Sequence, residues 1–411
     1  MHATLEYVAV GAMLILFLSV SFNVIYSVVA QLEHVREEQL YTTAERIMDK
    51  ILLTTGAPPD WGSNISVTTN DLCDFGLALQ GTRTPYEIDP DKVMRLANLS
   101  TLPNPLLINS TLIAELLGIK GEYGFKLEMR PLLEHQVTLL ETYDLPGEGN
   151  PSLPAKLKVQ LANWYGMGVP SANVTGIYVL VRVWGLEGQE SEVEYWVWAE
   201  SNVTDALGAC TLDFRDELEE FFSKGEQQGG QHWLWAFVIL HTNWYGFVSV
   251  DGYSMPPEPG APVEGYIIGD AIFINRTVEG LSGAVITRDE VLQAIPEYES
   301  LITVTEIEWC RQQPNDPVWC KEAGNVLPSS GDYLVGHVKY IEKLSSHVFV
   351  LGKWRGRPLV VVISRIPEIS ITYGSKESTP ANAVTLLRLA QLYCYPYLVR
   401  LTLWRWSEGW P

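Results

Sequence analysis

The chain has 411 residues, 49 acidic against 28 basic side chains and a formal net charge of −21; this weighs against nucleic acid as a partner, since phosphate contacts need clustered Lys and Arg. The length allows two or three domains. Charged residues are only 19% and aromatics reach 11%, and the wealth of Trp, Tyr, Val and Leu suits β-sheet surfaces more than an all-helical fold.

The first element is "MHATLEYVAVGAMLILFLSVSFNVIYSVVA", in which nothing from Tyr7 to Ala30 is charged. As a helix this run is about 36 Å long, enough for a hydrocarbon core of about 30 Å. A secretory peptide has a basic start, a shorter apolar core and a small-x-small cleavage site; "MHATLE" has no Lys or Arg, and the run is too long. It continues as "QLEHVREEQLYTTAERIMDKILL", where Leu32, Val35, Tyr41, Ala44, Ile47, Met48 and Ile51 recur at helical intervals between charged residues. No Gly or Pro interrupts Ala12 to Thr55; Gly56, Pro58 and Pro59 then stop it. The spacing predicts one helix of about fifty residues, about 70 Å long. Its first half needs lipid or other copies of itself, and its second half needs a globular domain.

Next, Asp89 and Pro90 have the N-cap and N1 chemistry that opens a helix, and "YGFKLEM" alternates as a strand. "YDLPGEGNPSLPAK" (143–156) has the composition of a linker. "NVTGIYVLVRVW" (173–184) sets Ile177, Val179, Val181 and Val183 against Tyr178, Leu180, Arg182 and Trp184, and "EVEYWVWAE" follows across a hairpin signal. Roughly 155–254 is predicted to be one β-sandwich, a second proline-rich joint follows at 253–265, and the remainder mixes strands with one short helix, "TRDEVLQAI".

The N-terminal pattern resembles archaeal type IV pilin-like surface proteins, which carry a glutamate about five residues into the mature chain, an uncharged run, and an amphipathic continuation packed on a β-rich head. "ERIMDKILLTTGAPPDWG", "FGLALQGTRTPYEIDPDKVMRLANLS" and "ELLGIKGEYGFKLEMRPL" resemble the block that follows the helix in that family, and "AVTLLRLAQLYCYPYLVRLTLWRW" resembles its final hairpin. The resemblance covers roughly 1–140 and, less closely, the C-terminus; the family's short basic leader does not precede "HATLEY". It implies that the Glu6 carboxylate pairs with the N-terminal amine of a neighbouring subunit, a charge in apolar surroundings being tolerated only when paired; the alternative is an interfacial residue just outside the bilayer. Gly11, Ala12, Phe17, Phe22 and Asn23 would then lie on an assembly helix, where small residues allow close contact. The "TDALG" turn before a strand resembles a recurring turn of immunoglobulin-like sandwiches.

The implied fold is α+β, mainly β: a membrane or filament-core helix (1–56), a first head segment (57–150), an immunoglobulin-like sandwich (151–255) and a C-terminal β-rich segment (256–411). The sandwich is either inserted in one head or one of three domains in a row. The implied function is a structural subunit of a pilus-like cell-surface filament whose partners are copies of itself, inserted in the membrane before assembly. The alternatives are a non-polymerising single-pass surface protein and, least favoured, an anchored hydrolase or binding receptor.

Cys310 and Cys320 bracket "RQQPNDPVW", and a disulfide closing this loop is preferred over two buried thiols; the pairing of Cys73, Cys210 and Cys394 stays open. Sequons at Asn64, Asn98, Asn109, Asn173, Asn202 and Asn275 point to an exported domain carrying N-glycans. The chain has no HExxH, GxSxG or phosphate-loop motif, and no His lies at metal-ligand spacing to another His or Cys. No catalytic residue, metal or cofactor is expected. "DELEEFFSKGEQ" reads as a solvated acidic face, and His241 as a satisfied structural histidine.

Overall fold

The computed structural model describes residues 2–97, 106–145, 152–184, 193–223, 232–255, 265–275, 277–287, 302–309, 333–338, 345–374, 382–393 and 395–406. In chain order the elements are α1 (His2–Leu53), β1 (Glu87–Ile88), α2 (Pro90–Met94), α3 (Ser110–Leu116), β2 (Tyr123–Pro131), β3 (Leu133–Asp144), β4 (Ser152–Asn163), β5 (Asn173–Trp184), β6 (Val193–Val203), β7 (Ala209–Asp213), α4 (Arg215–Ser223), β8 (His232–Trp244) and β9 (Phe247–Ser254). There follow β10 (Gly265–Ile268), β11 (Ala271–Asn275), β12 (Glu279–Thr287), β13 (Ile302–Trp309), β14 (Tyr333–Val338), β15 (His347–Trp354), β16 (Arg357–Ser364), β17 (Ile369–Tyr373), β18 (Val384–Leu392) and β19 (Tyr395–Arg405). The protein is mainly β, with one long N-terminal apolar helix.

α1 runs unbroken for 52 residues, about 78 Å at the rise of an α-helix. Its second half buries Ala44, Ile47, Met48, Ile51 and Leu52, which share a core with Leu386 and Ala390 of β18 and Leu401 and Leu403 of β19. Arg388 faces Glu45 at 3.8 Å, and Arg405 Nη2 donates to Gln39 Oε1 at 3.2 Å. The supporting sheet has the order β1-β18-β19-β2-β17 and so draws strands from both ends of the chain. Leu127 of β2 lies between Leu401 of β19 and Ile371 of β17.

Two buried cations fasten the segment that follows α1. Asp89 caps α2, and Pro90 occupies its first turn. Lys92 Nζ donates to the carbonyls of Thr55 and Ala78, each at 2.9 Å. Arg95 is wholly buried and donates to the carbonyls of Leu106 and Val67 at 2.8 Å and also to that of Trp61. Burial pulls the Arg95 guanidinium down to about 10. Both cations lie over the ring of the fully buried Trp61. Three carbonyls converging on one guanidinium replace the regular pairing that this irregular loop lacks.

Two further sheets, β3-β4-β7 and β6-β5-β8-β9, enclose a common core that includes Leu157, Tyr178, Leu212 and Val238. A seven-stranded sheet, β10-β11-β14-β13-β12-β15-β16, curls until its outer strands touch: a Cβ on Gly265 of β10 would lie 2.9 Å from Val361 and Ile363 of β16. This curled sheet rests on the second face of β6-β5-β8-β9. Phe237 stacks on Phe349 with ring centroids 4.1 Å apart, and Trp235 Nε1 donates to the Gly352 carbonyl at 3.0 Å.

β5 is therefore covered on both faces, and Ile177, Tyr178, Val179, Leu180 and Val181 are all buried. The alternation read at 173–184 separates two apolar interfaces, not an inside from an outside. The stretch at 143–156 also differs from its reading as a linker: Tyr143 pairs with Leu153 and Asp144 with Ser152, so β3 and β4 flank it as a hairpin. The acidic segment read as a solvated face is only partly so over its described residues, 216–223. In α4, Leu218 is buried, Phe221 packs on Trp196 and Trp198, and Phe222 stacks on Tyr143. Of the helix expected at "TRDEVLQAI", Thr287 ends β12 and the rest lies outside the described residues.

Candidate functional site

Among the described residues, the first half of α1 carries more exposed large apolar side chains than any other element. Met13, Phe17 and Phe22 are 77%, 72% and 70% exposed, and their apolar neighbours up to Val29 are exposed as well. The segment is apolar enough to span a membrane or to serve as a signal sequence. Its polar groups turn back on the helix: Asn23 Nδ2 donates to the Ser19 carbonyl at 2.9 Å, and Ser27 Oγ to that of Val24 at 3.0 Å. An amide so occupied is less costly in apolar surroundings, so Asn23 does not break the helix. A Cβ on Gly11 would meet no atom within 4 Å. Glu6 and Ala12 are placed on the helix backbone, and their side chains lie outside the description.

The other expected positions are scattered. Asn64 Nδ2 donates to Asp60 Oδ2 at 2.9 Å, Asn109 caps α3, and Asn202 Nδ2 donates to the Thr211 carbonyl at 2.9 Å. Asn173 is exposed at the start of β5, Asn275 ends β11, and Asn98 lies outside the described residues. So do Cys310, Cys320 and Cys394. Cys73 is an exposed free thiol, whereas Cys210 is a buried free thiol that burial, reinforced by Asp205, pushes up to about 11.

A cavity of about 130 Å³ lies where β2 and β3 meet β9, the end of β16 and the start of β19; Leu133, Val250 and Ile366 line it together with Glu134, His135, Ser249, Asp251, Ser364 and Glu368. His135 is buried, with Nε2 2.8 Å from Thr242 Oγ1 and Nδ1 3.9 Å from Asp251 Oδ2. His347 lies on the other side, with Nε2 3.8 Å from Asp251 Oδ1 and Nδ1 3.0 Å from Ser346 Oγ. Burial holds His135 below the ordinary imidazole range; Asp251 opposes this and His347 adds to it. Burial, helped by His135, does the same to His241. His241 Nε2 has no hydrogen-bond partner, so this histidine is buried but not satisfied as the sequence reading had it. Arg130 lies 3.8 Å from Glu134 and 3.6 Å from Glu368. Glu134 is nonetheless raised, first by desolvation and then by the charge of Glu368.

Among the described residues no group of three His, Cys, Asp or Glu side chains is placed to hold a metal. The cavity lies where four sheets meet, β2 and β19 from one and β3, β9 and β16 from one each, and has the chemistry of a charged joint. His135 and Asp251 sit on strands far apart in sequence, and no motif links them. The only sign in the sequence is a histidine in an otherwise ordinary strand, "LEHQVTLL".

No protein-family profile matches the chain, and comparison with characterised proteins and with solved structures finds no match.

Proposed function

We propose that this chain is a structural subunit of an archaeal type IV pilus-like surface filament, inserted in the membrane by α1 and polymerising through it. One observation carries the reading: a single helix has one half exposed and apolar and the other half seated on the antiparallel pair β18–β19. Such a helix must be covered by lipid before assembly and by other copies afterwards. The outer sheets then form a displayed surface that carries glycans and adheres to a target. Within them, strands one, two and five (β3, β4, β7) face strands four, three, six and seven (β6, β5, β8, β9). We read this as an immunoglobulin-like order in which the fourth strand has moved to the sheet of the third.

Electron microscopy of material sheared from producing cells, with mass spectrometry of any fibres, tests the proposal. Fibres made of this chain are expected, and recovery solely as detergent-soluble monomers would sink it. Glu6→Ala is expected to abolish fibres while the β-sheet circular dichroism persists; normal fibres would make Glu6 interfacial. The second reading, a non-polymerising single-pass anchor, draws on the same exposed span and predicts such monomers.

A further inference from the structure

The exposed half of α1 gives way to the seated half at a definite level of the sheet beneath it. Leu40 is the first buried residue of α1 among those described, and Arg405 Nη2 donates to the adjacent Gln39 at 3.2 Å. The sheet ends at this level. Arg405 closes β19, Tyr123 lies opposite it at the start of β2, and Tyr373 closes β17. Trp406 N donates to the Glu122 carbonyl at 2.8 Å and ties the last strand to the start of β2.

This rim is aromatic. Trp406 and Tyr41 are 38% and 46% exposed, and Tyr123 and Tyr373 are half-buried. Tyr373 packs on Trp406 with ring centroids 5.6 Å apart and on Phe125 at 6.0 Å. The two indoles have seats built for them. No Cβ fits at Gly124, where Trp404 lies, or at Gly374, held at φ +98°, where Trp406 lies. Tyr and Trp rings with one apolar and one polar end, beside an exposed Arg405, are the side chains that settle at a membrane–water interface.

The rim also lies close to the apolar run. No residue from Tyr7 to Leu32 is charged. Leu32 and Gln39 are seven residues apart on one helix, about 10 Å. With the run submerged, a headgroup layer of about 5–8 Å covers most of that gap, and Trp and Arg side chains span the rest. The run is about 9 Å longer than a hydrocarbon core of about 30 Å, and the tilt by which long spans adapt lowers one side of the rim further. None of the six sequons lies on α1, β2, β17 or β19. The exposed acids here, Glu37, Glu38 and Glu122, outnumber Arg36 and Arg405. An anionic surface calls for a basic cluster, whereas neutral headgroups receive Trp and Tyr without one. We infer that the rim formed by Tyr41, Tyr123, Tyr373, Arg405 and Trp406 rests in the headgroup layer of a zwitterionic bilayer. The inference rests on the membrane insertion of α1 proposed above and adds a second contact to it: the folded domain stands on the membrane that holds its helix.

The test uses the full chain reconstituted in phosphatidylcholine vesicles, with the photocrosslinking residue p-benzoylphenylalanine in place of Trp406, Phe17 or Leu53 in turn. Leu53 is exposed and lies about 30 Å beyond Leu32 along the helix. Irradiation is expected to attach lipid at Phe17 and at Trp406, with a yield at Trp406 about tenfold or more above that at Leu53. Because Trp406 packs on Tyr373, the same label is also placed at the exposed Tyr41, and the same result is expected there. Lipid at Phe17, with Trp406 and Tyr41 no higher than Leu53, overturns the rim contact and leaves the insertion of α1 standing. Lipid at Trp406 and Tyr41 but not at Phe17 does the reverse. Lipid at none of these sites overturns both. Replacing part of the phosphatidylcholine by phosphatidylglycerol should not raise the Trp406 yield; a rise would overturn the assignment of a neutral surface.

Discussion

The stacking of the curled sheet on β8 makes a quantitative prediction. Phe349 is fully buried, and its ring lies against Phe237 at 4.1 Å between centroids, nearly parallel at 16°. Phe349→Ala is expected to destabilise this joint by about 3–5 kcal/mol, the range for removing a buried aromatic side chain. The ring pair itself should account for about 0.5–1.5 kcal/mol, recovered as the coupling between Phe237→Ala and Phe349→Ala in a double-mutant cycle. Because several cores coexist, a single melting curve would blur the effect, so hydrogen exchange followed by mass spectrometry is the suitable assay. Peptides from β8, β9, β15 and β16 should lose protection, while the half of α1 that packs on β18 and β19 should not. A loss below about 1 kcal/mol, or one spread evenly over α1 as well, would refute the claim that the sheet β6-β5-β8-β9 is clamped between two neighbours.

Other expectations follow from the buried polar groups. Arg95→Met leaves the carbonyls of Trp61, Val67 and Leu106 without their donor and should cost about 3–5 kcal/mol in urea unfolding; Arg95→Lys should rescue little, since the donors of an ammonium radiate from one nitrogen and cannot reach the positions of three guanidinium nitrogens, and full rescue would count against the clamp. His135 and His241 are both held below the ordinary imidazole range, so the unfolded chain takes up protons first as pH falls. The stability these neutral histidines contribute is complete above about pH 6.5 and is lost as pH falls through their folded values, with a slope of up to about 1.4 kcal/mol per pH unit for each. The melting temperature should drop between pH 7.5 and 5.5, and less steeply in His135→Gln; parallel profiles would exclude His135 as a source. Iodoacetamide should label the exposed Cys73 in the native protein and Cys210 only after unfolding, with peptide mass spectrometry as the readout.

The long helix was legible because its two halves differ in composition and nothing between Ala12 and Thr55 breaks it. The strands were legible too, but not what covers them. A run such as "IYVLV" has the same period whether one face or both are buried, and only the curled sheet resting on β8 decides that. The stretch 143–156 looked like a linker because of its Pro and Gly; the pairing of Asp144 with Ser152 is a tertiary fact. Arg95 was invisible because "DKVMR" reads as a helix surface, and its burial depends on carbonyls supplied by a loop folding over it. The cavity brings together His135, Asp251 and Ser364, which come from three strands and carry no spacing that a linear reading can detect.

The sheet beneath α1 also has a temporal side. β18 and β19, which cover Ala44, Ile47 and Ile51, are made after the other strands among the described residues. At about 5–20 residues per second, tens of seconds pass between the emergence of α1 and that of its cover. The nascent helix spends that interval with two bare apolar faces: one along its first half, the other awaiting the hairpin. Early capture of the first half by a bilayer would leave the second half pinned at the membrane surface, a fixed platform on which the final hairpin closes.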